Sequence, residues 1–171
     1  MPRIFIHYGL LLAVAFAPFL YWGCGKNEYT AKDLVTRGQK YMLQDKYNEA
    51  INCFRKAAEL GDAEGQCVFG TVYYTGVGLP KDYTEAVRWF CKSAEQGNSS
   101  GYVSLGIAYS EGHGVPLDLI EAFKWVNLAM INGDKNALKF RDDIKLRMTS
   151  EQITEGGKRI AEFVAKKKEQ K

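Results

Sequence analysis

A repeat of 36 residues constrains this chain more than any other feature. The segment 70–97, GTVYYTGVGLPKDYTEAVRWFCKSAEQG, returns as 106–133, GIAYSEGHGVPLDLIEAFKWVNLAMING. Gly70, Tyr73, Gly76, Gly78, Pro80, Asp82, Glu85, Ala86, Trp89 and Gly97 reappear as Gly106, Tyr109, Gly112, Gly114, Pro116, Asp118, Glu121, Ala122, Trp125 and Gly133. A fixed period between about 20 and 50 residues marks a solenoid, in which each unit buries its apolar face only by stacking on the next. The apolar residues recur with helical spacing, so the expected fold class is all-α, an α-solenoid.

An earlier, degenerate unit precedes these two. Leu34, Gly38, Tyr41, Tyr47, Ala50, Phe54 and Ala57 fall on two helices joined by a tight turn at Leu43 to Lys46. Their order, a small residue and Tyr on one helix and Ala, Phe, Ala on the next, matches the tetratricopeptide pattern. Gly38 to Ala50 is shorter by four residues than Gly70 to Ala86 or Gly106 to Ala122. The extra residues make a glycine-rich turn. Gly76 or Gly112 takes the left-handed backbone that ends a helix, and the second Gly with the Pro keeps the helix from continuing. Asp82 and Asp118 are read as N-caps, with Glu85 and Glu121 placed to return the capping bond. The divisions expected are 33–133 for three helix pairs (33–61, 62–97 and 98–133) and 134–171 for a C-terminal cap and basic tail.

The run YYTGVGLPKDYTEAVRWFCKSAEQG and its copy YSEGHGVPLDLIEAFKWVNLAMINGD resemble the Sel-1-like repeat. The resemblance covers Asp33 to about Arg141. It implies a right-handed superhelix of helix pairs and a non-catalytic role as a scaffold for protein or peptide partners in the bacterial cell envelope. The segment RDDIKLRMTSEQITEGGKRIAEF is similar to the closing segment of many such proteins. Thr149 with Gln152 reads as a helix cap, and Ile153, Ile160, Phe163 and Val164 as one apolar stripe. Gly156 and Gly157 are each expected to weaken that helix by about 1 kcal/mol relative to Ala. Lys166, Lys167, Lys168 and Lys171 suit a helix C-terminus, either as a solvated end or against an anionic surface.

Residues 1–24 read as a leader and 25–32 as a polar linker. Arg3 is followed by the uncharged apolar run Tyr8 to Leu20, then Gly23, Cys24 and Gly25. This is the layout of a secretory signal. Cys24 after glycine resembles the lipidated cysteine of bacterial lipoproteins, although Tyr21 stands where those sites usually have leucine. Lipidation at Cys24, ordinary cleavage and a retained anchor all remain open, and all three put the body outside the cytoplasm.

Chemistry is sparse. Of two histidines, His7 lies in the leader, so His113 alone remains, expected to be a solvated turn residue. Metal sites and a Ser-His-Asp triad need more than that. No cofactor or metal is expected, and no phosphate-cradling G-x-x-x-x-G-K-[ST] occurs. A net charge of +3 argues against nucleic acid. Hydrophobic residues make up 46% of the chain, enough for a core. The body is expected to be a monomer. The alternative reading, a cell-wall or β-lactam-directed hydrolase, rests on cysteine-rich relatives. No S-x-x-K occurs, and Cys53, Cys67 and Cys91 lack regular spacing. They are expected as free thiols, with a Cys67–Cys91 bridge as the other possibility.

In tetratricopeptide relatives the residues three before, one after and four after the small glycine line the concave face. Carried over, these positions are Val35, Gln39 and Met42; Cys67, Thr71 and Tyr74; Val103, Ile107 and Ser110. They form a mixed apolar and polar surface without charge, suited to a peptide or partner helix. Trp89 and Trp125 are expected to be buried anchors of the core.

Overall fold

The computed structural model describes residues 29–169, and among them every regular element is helical. In order they are α1 (Ala31–Met42), α2 (Tyr47–Glu59), α3 (Ala63–Thr75), α4 (Tyr83–Glu95), α5 (Ser99–Glu111), α6 (Leu119–Ile131), α7 (Ala137–Lys145) and α8 (Ser150–Glu169). The leader with Cys24, the start of the linker, and Lys171 lie outside the described residues.

The first six helices form three antiparallel pairs, α1/α2, α3/α4 and α5/α6, stacked in a row. Each pair closes where a glycine on its first helix meets the second. A Cβ on Gly70 would stand 2.7 Å from the Phe90 ring, and one on Gly38 closer still to that of Phe54. At Gly106 the obstacle is the Val126 methyl. A second glycine serves the contact between pairs: a Cβ on Gly65 would lie 2.6 Å from that of Ala57, and one on Gly101 2.7 Å from the Ser93 hydroxyl. These approaches bring aromatic and aliphatic groups of neighbouring helices into contact, in three clusters along the stack. Phe54 and Leu105 are almost wholly enclosed, and truncating either to Ala should cost about 3 kcal/mol.

The helix starts are set by side chains. Thr30 and Asp33 form a full capping box on α1, as do Thr149 and Gln152 on α8. Asp62, Asp82, Asn98 and Asp118 cap α3 to α6. The return bond expected from Glu85 and Glu121 is absent. Glu85 turns to Arg88 at 2.6 Å, and Glu121 to Lys124 and to Arg159 at 2.7 Å. The cap amides are already engaged: Asp82 N–H donates to the Tyr73 carbonyl and Asp118 N–H to the Tyr109 carbonyl, each at 3.0 Å.

Gly76 and Gly112 end α3 and α5 in the left-handed region, at φ 76° and 72°. The next glycine of each turn does more than stop the helix. Gly78 lies on Tyr47 and Ile51, and Gly114 on the backbone of Tyr83. The turn of each pair thus rests on the start of the second helix of the preceding pair.

α1, α3, α5 and α7 follow one another in contact, whereas the second helices α2, α4 and α6 are held apart. The first helices therefore line the inner, concave side. α7 occupies the place of a fourth first helix. α8 does not pair with it but lies on α6 instead. Its Gly156 is no weak point. It is buried, with room only for hydrogen against Phe123, where a Cβ would stand at 2.8 Å. Ile153, Ile160, Phe163 and Val164 pack onto the core, Phe163 edge-on to Trp125 at 5.5 Å. Lys167 is not part of a frayed end, since its Nζ donates to the Tyr102 hydroxyl at 2.9 Å.

Trp89 and Trp125 are half-buried, not enclosed. Trp89 lies edge-on to Phe69 at 5.3 Å with the Lys92 ammonium 4.0 Å above it, and Trp125 carries Lys124 at 4.4 Å. An indole this size seals the outer surface while one side stays wet, and a cation covers that side.

Candidate functional site

The concave face is where the first helices bring side chains together. Gln39 and Thr71 are exposed, and Met42, Tyr74, Val103 and Ile107 half-buried. Val35, Cys67 and Ser110 are buried, which removes them from any contact with a partner. Val35 packs with Leu34, Cys53 and Ala57. The Cys67 thiol faces Ser104 Oγ at 3.7 Å, and burial pushes it up to about 11. Cys53, Cys67 and Cys91 are all free thiols. Ser110 is closed off from the C-terminal side, where Arg147 Nη2 donates to its carbonyl at 2.9 Å.

These placements share a cause. Cys67 meets Ser104, Tyr74 meets Glu111, and Ser110 meets Arg147. Each step is one residue longer than the repeat. Neighbouring first helices are offset, so a side chain on one meets the residue one position beyond its repeat equivalent on the next. On α5 the depression beside Tyr74 is lined by Ser104 and Ile107. Thr71, Tyr74 and Phe90 with Ser104 and Ile107 enclose a depression of about 130 Å³ between α3 and α5. It is uncharged and holds about one aliphatic side chain.

One wall of this depression is fixed by a polar cluster. The Tyr74 hydroxyl donates to Glu111 Oε2 at 2.5 Å. His113 Nδ1 lies 2.9 Å from that hydroxyl and 3.0 Å from the same carboxylate oxygen. With the hydroxyl proton given to Glu111, Nδ1–H is the group that donates to both. The His113 ring stacks on Tyr83, 4.2 Å away and 4° from parallel, and Tyr83 meets Tyr74 edge-on at 5.0 Å. Burial first, then the bond to Glu111, raises the Tyr74 hydroxyl above its ordinary value of 10.0. His113 is thus a link between the second and third pairs as well as a turn residue, its side chain still 37% exposed. Its place in the variable slot of the turn carried no sign of this. The partner tyrosines stand 30 and 39 positions back in sequence.

The cluster contains no serine or cysteine nucleophile among its hydrogen-bond partners. Among the described residues no group of three or more His, Cys, Asp or Glu converges as for a metal, and no helix is long and apolar enough to cross a membrane.

The comparisons agree with this architecture. The family model described as Sel1 repeat matches residues 35–62, 63–98 and 99–134. A crystal structure of a protective antigen of uropathogenic Escherichia coli strains, displaying an SLR fold, superposes with a TM-score of 0.74 at 28% identity. That match covers 79% of this chain and 30% of the antigen. A Sel1 repeat protein from Oxalobacter formigenes superposes with a TM-score of 0.59 at 33% identity, over 65% of this chain and 47% of its own. The chain therefore spans less than half the length of either. No curated protein matches it.

Proposed function

Because the chain belongs to the Sel1-repeat family, whose fold serves as a scaffold for protein partners, we propose that it binds a peptide or helix of a partner protein on its concave face. The observation that carries this reading is the depression between α3 and α5, walled by a Tyr74 held by Glu111 and His113. Rigid aromatic walls around a small apolar recess lower the ordering cost of binding and suit a single anchoring side chain. Thr71 and Gln39, exposed along the same face, supply polar contacts beside it. No chemical step is involved. The body acts as a monomer.

We further propose that it acts in the bacterial cell envelope, exported and held by lipid on Cys24. The reading rests on Arg3, the run Tyr8 to Leu20 and the Gly23–Cys24 step. Intact mass of membrane-extracted protein should show a diacylglyceryl-cysteine that Cys24→Ser removes. A mass beginning beyond Cys24, or a full-length mass, would rule the lipid anchor out.

The surface itself is tested by substitution. Thr71→Arg and Ile107→Glu should each reduce co-purification of the partner about tenfold or more, as expected when a hot spot is lost. Asn52→Arg, exposed on the outer helix α2, should leave it unchanged. Equal effects from both faces would contradict the assignment.

A further inference from the structure

A second cavity, of about 480 Å³, opens where α8 crosses the ends of α4 and α6 and the start of α5. This is the edge of the slab opposite the glycine turns. Leu128 and Ile131 of α6 line it with Phe163 and Val164 of α8. Ile131 is 60% exposed, a large aliphatic group left facing open space. Lys167 and Lys168 also line the cavity. Among the described residues neither is paired with a carboxylate. Lys167 is held in place by its bond to Tyr102 and by the Tyr102 and Phe163 rings, each 5.5 Å from its ammonium.

Two amide side chains complete the lining, and their orientation is fixed. Gln96 Nε2 donates to the Gly61 carbonyl at 2.9 Å and to Gln66 Oε1 at 2.8 Å. Asn132 Nδ2 donates to the Gly97 carbonyl at 2.8 Å. With the amide nitrogens engaged, each amide oxygen remains an acceptor without a donor among the described residues. An apolar wall, a cationic rim and free acceptors thus meet in one place.

We propose that this cavity is a second binding site, for the carboxyl terminus of a peptide that ends in a large apolar residue. The terminal carboxylate meets Lys167 and Lys168, where charge-assisted bonds are strongest. The last side chain lies against Ile131, Leu128 and Val164. Backbone N–H groups of the peptide donate to the amide oxygens of Gln96 and Asn132. A fatty acid offers the charge and the chain but no N–H, so it leaves both acceptors unmet. The site is independent of the α3–α5 face and stands whether or not that face binds a partner.

The test is fluorescence anisotropy with the full chain and a panel of labelled hexapeptides. Their last residue is Leu, Ile, Val, Met, Phe or Trp, and each is made as the free acid and as the carboxamide. At least one free acid should bind with Kd below about 1 mM, and its carboxamide should bind about tenfold or more weaker. Lys168→Gln and Ile131→Asp should each weaken binding about fivefold or more. Both positions are exposed, so these variants keep the fold, and the carboxamide comparison needs no variant at all. Asn52→Arg, exposed on α2 and outside both sites, should leave the affinity for the peptide unchanged. The proposal is overturned if no free acid binds at about 1 mM, or if acid and carboxamide bind alike. It is also overturned if dodecanoate displaces the peptide with equal affinity, which would make the site one for a fatty acid.

Discussion

The junction between the first and second helix pairs and the junction between the second and third share one frame but differ in what fills it. In both, a left-handed glycine of the turn rests on the tyrosine that opens the preceding second helix: Gly78 on Tyr47, Gly114 on Tyr83. Around that contact the first junction has Met42, Thr75 and Val77 at the positions where the second has Tyr74, Glu111 and His113. At those three positions the first has no counterpart of that side-chain cluster and closes by packing. The second adds a hydroxyl, a carboxylate and an imidazole within 3.0 Å of one another. The stacking frame therefore belongs to the repeat, while the polar cluster belongs to one place in the chain. The depression proposed to bind a partner lies at that place.

The largest expected effect tests the shared frame. A Cβ on Gly114 would run into the Tyr83 carbonyl, which is backbone and cannot yield, whereas one on Gly78 meets the end of the Ile51 side chain. Both residues also sit at φ above +70°. Gly114→Ala should cost about 3 kcal/mol or more and Gly78→Ala about 2, from left-handed strain plus overlap. Denaturant midpoints check this, and equal losses would show that the two turns seat alike.

A smaller effect tests the difference. Tyr74→Phe removes the hydroxyl from Glu111 and His113 and should cost about 1 kcal/mol. Paired with Glu111→Gln in a double-mutant cycle it should give a coupling of about 1 kcal/mol, while Met42 and Thr75 substituted together should be additive. His113→Val, which imports the residue of the first junction, should cost about 0.5–1 kcal/mol through the lost stack on Tyr83.

The smallest effect is alkaline. The folded state holds the Tyr74 proton more tightly than the unfolded chain does. That contribution is complete below the ordinary tyrosine value of 10.0 and is lost as pH rises above it. Stability should therefore fall more steeply above pH 10 in the wild type than in Tyr74→Phe. Parallel curves would mean that Tyr74 titrates freely.

Most of the frame is legible in the sequence because it repeats. Gly70 with Gly106, Asp82 with Asp118 and the paired turns mark close approaches and caps by their recurrence, and the helices lie where those signals put them. Three things escape. The role of Gly78 and Gly114 as seats for the next pair depends on contact between pairs, which no local turn rule contains. The offset that sets Cys67 against Ser104 and Tyr74 against Glu111 comes from how neighbouring helices are displaced. The path of α8 across α6, with Gly156 against Phe123 and Arg159 against Glu121, is a docking choice among several that one apolar stripe permits.

The claim that the α3–α5 face is the working surface is tested most directly by placing a photo-crosslinking residue at Thr71, at Gln39 and at Asn52 in separate proteins. The account predicts a discrete partner adduct from position 71, a weaker one from 39 on the same face, and none from 52 on the outer helix. An adduct from 52 with none from 71 would contradict it and move the partner to the convex side.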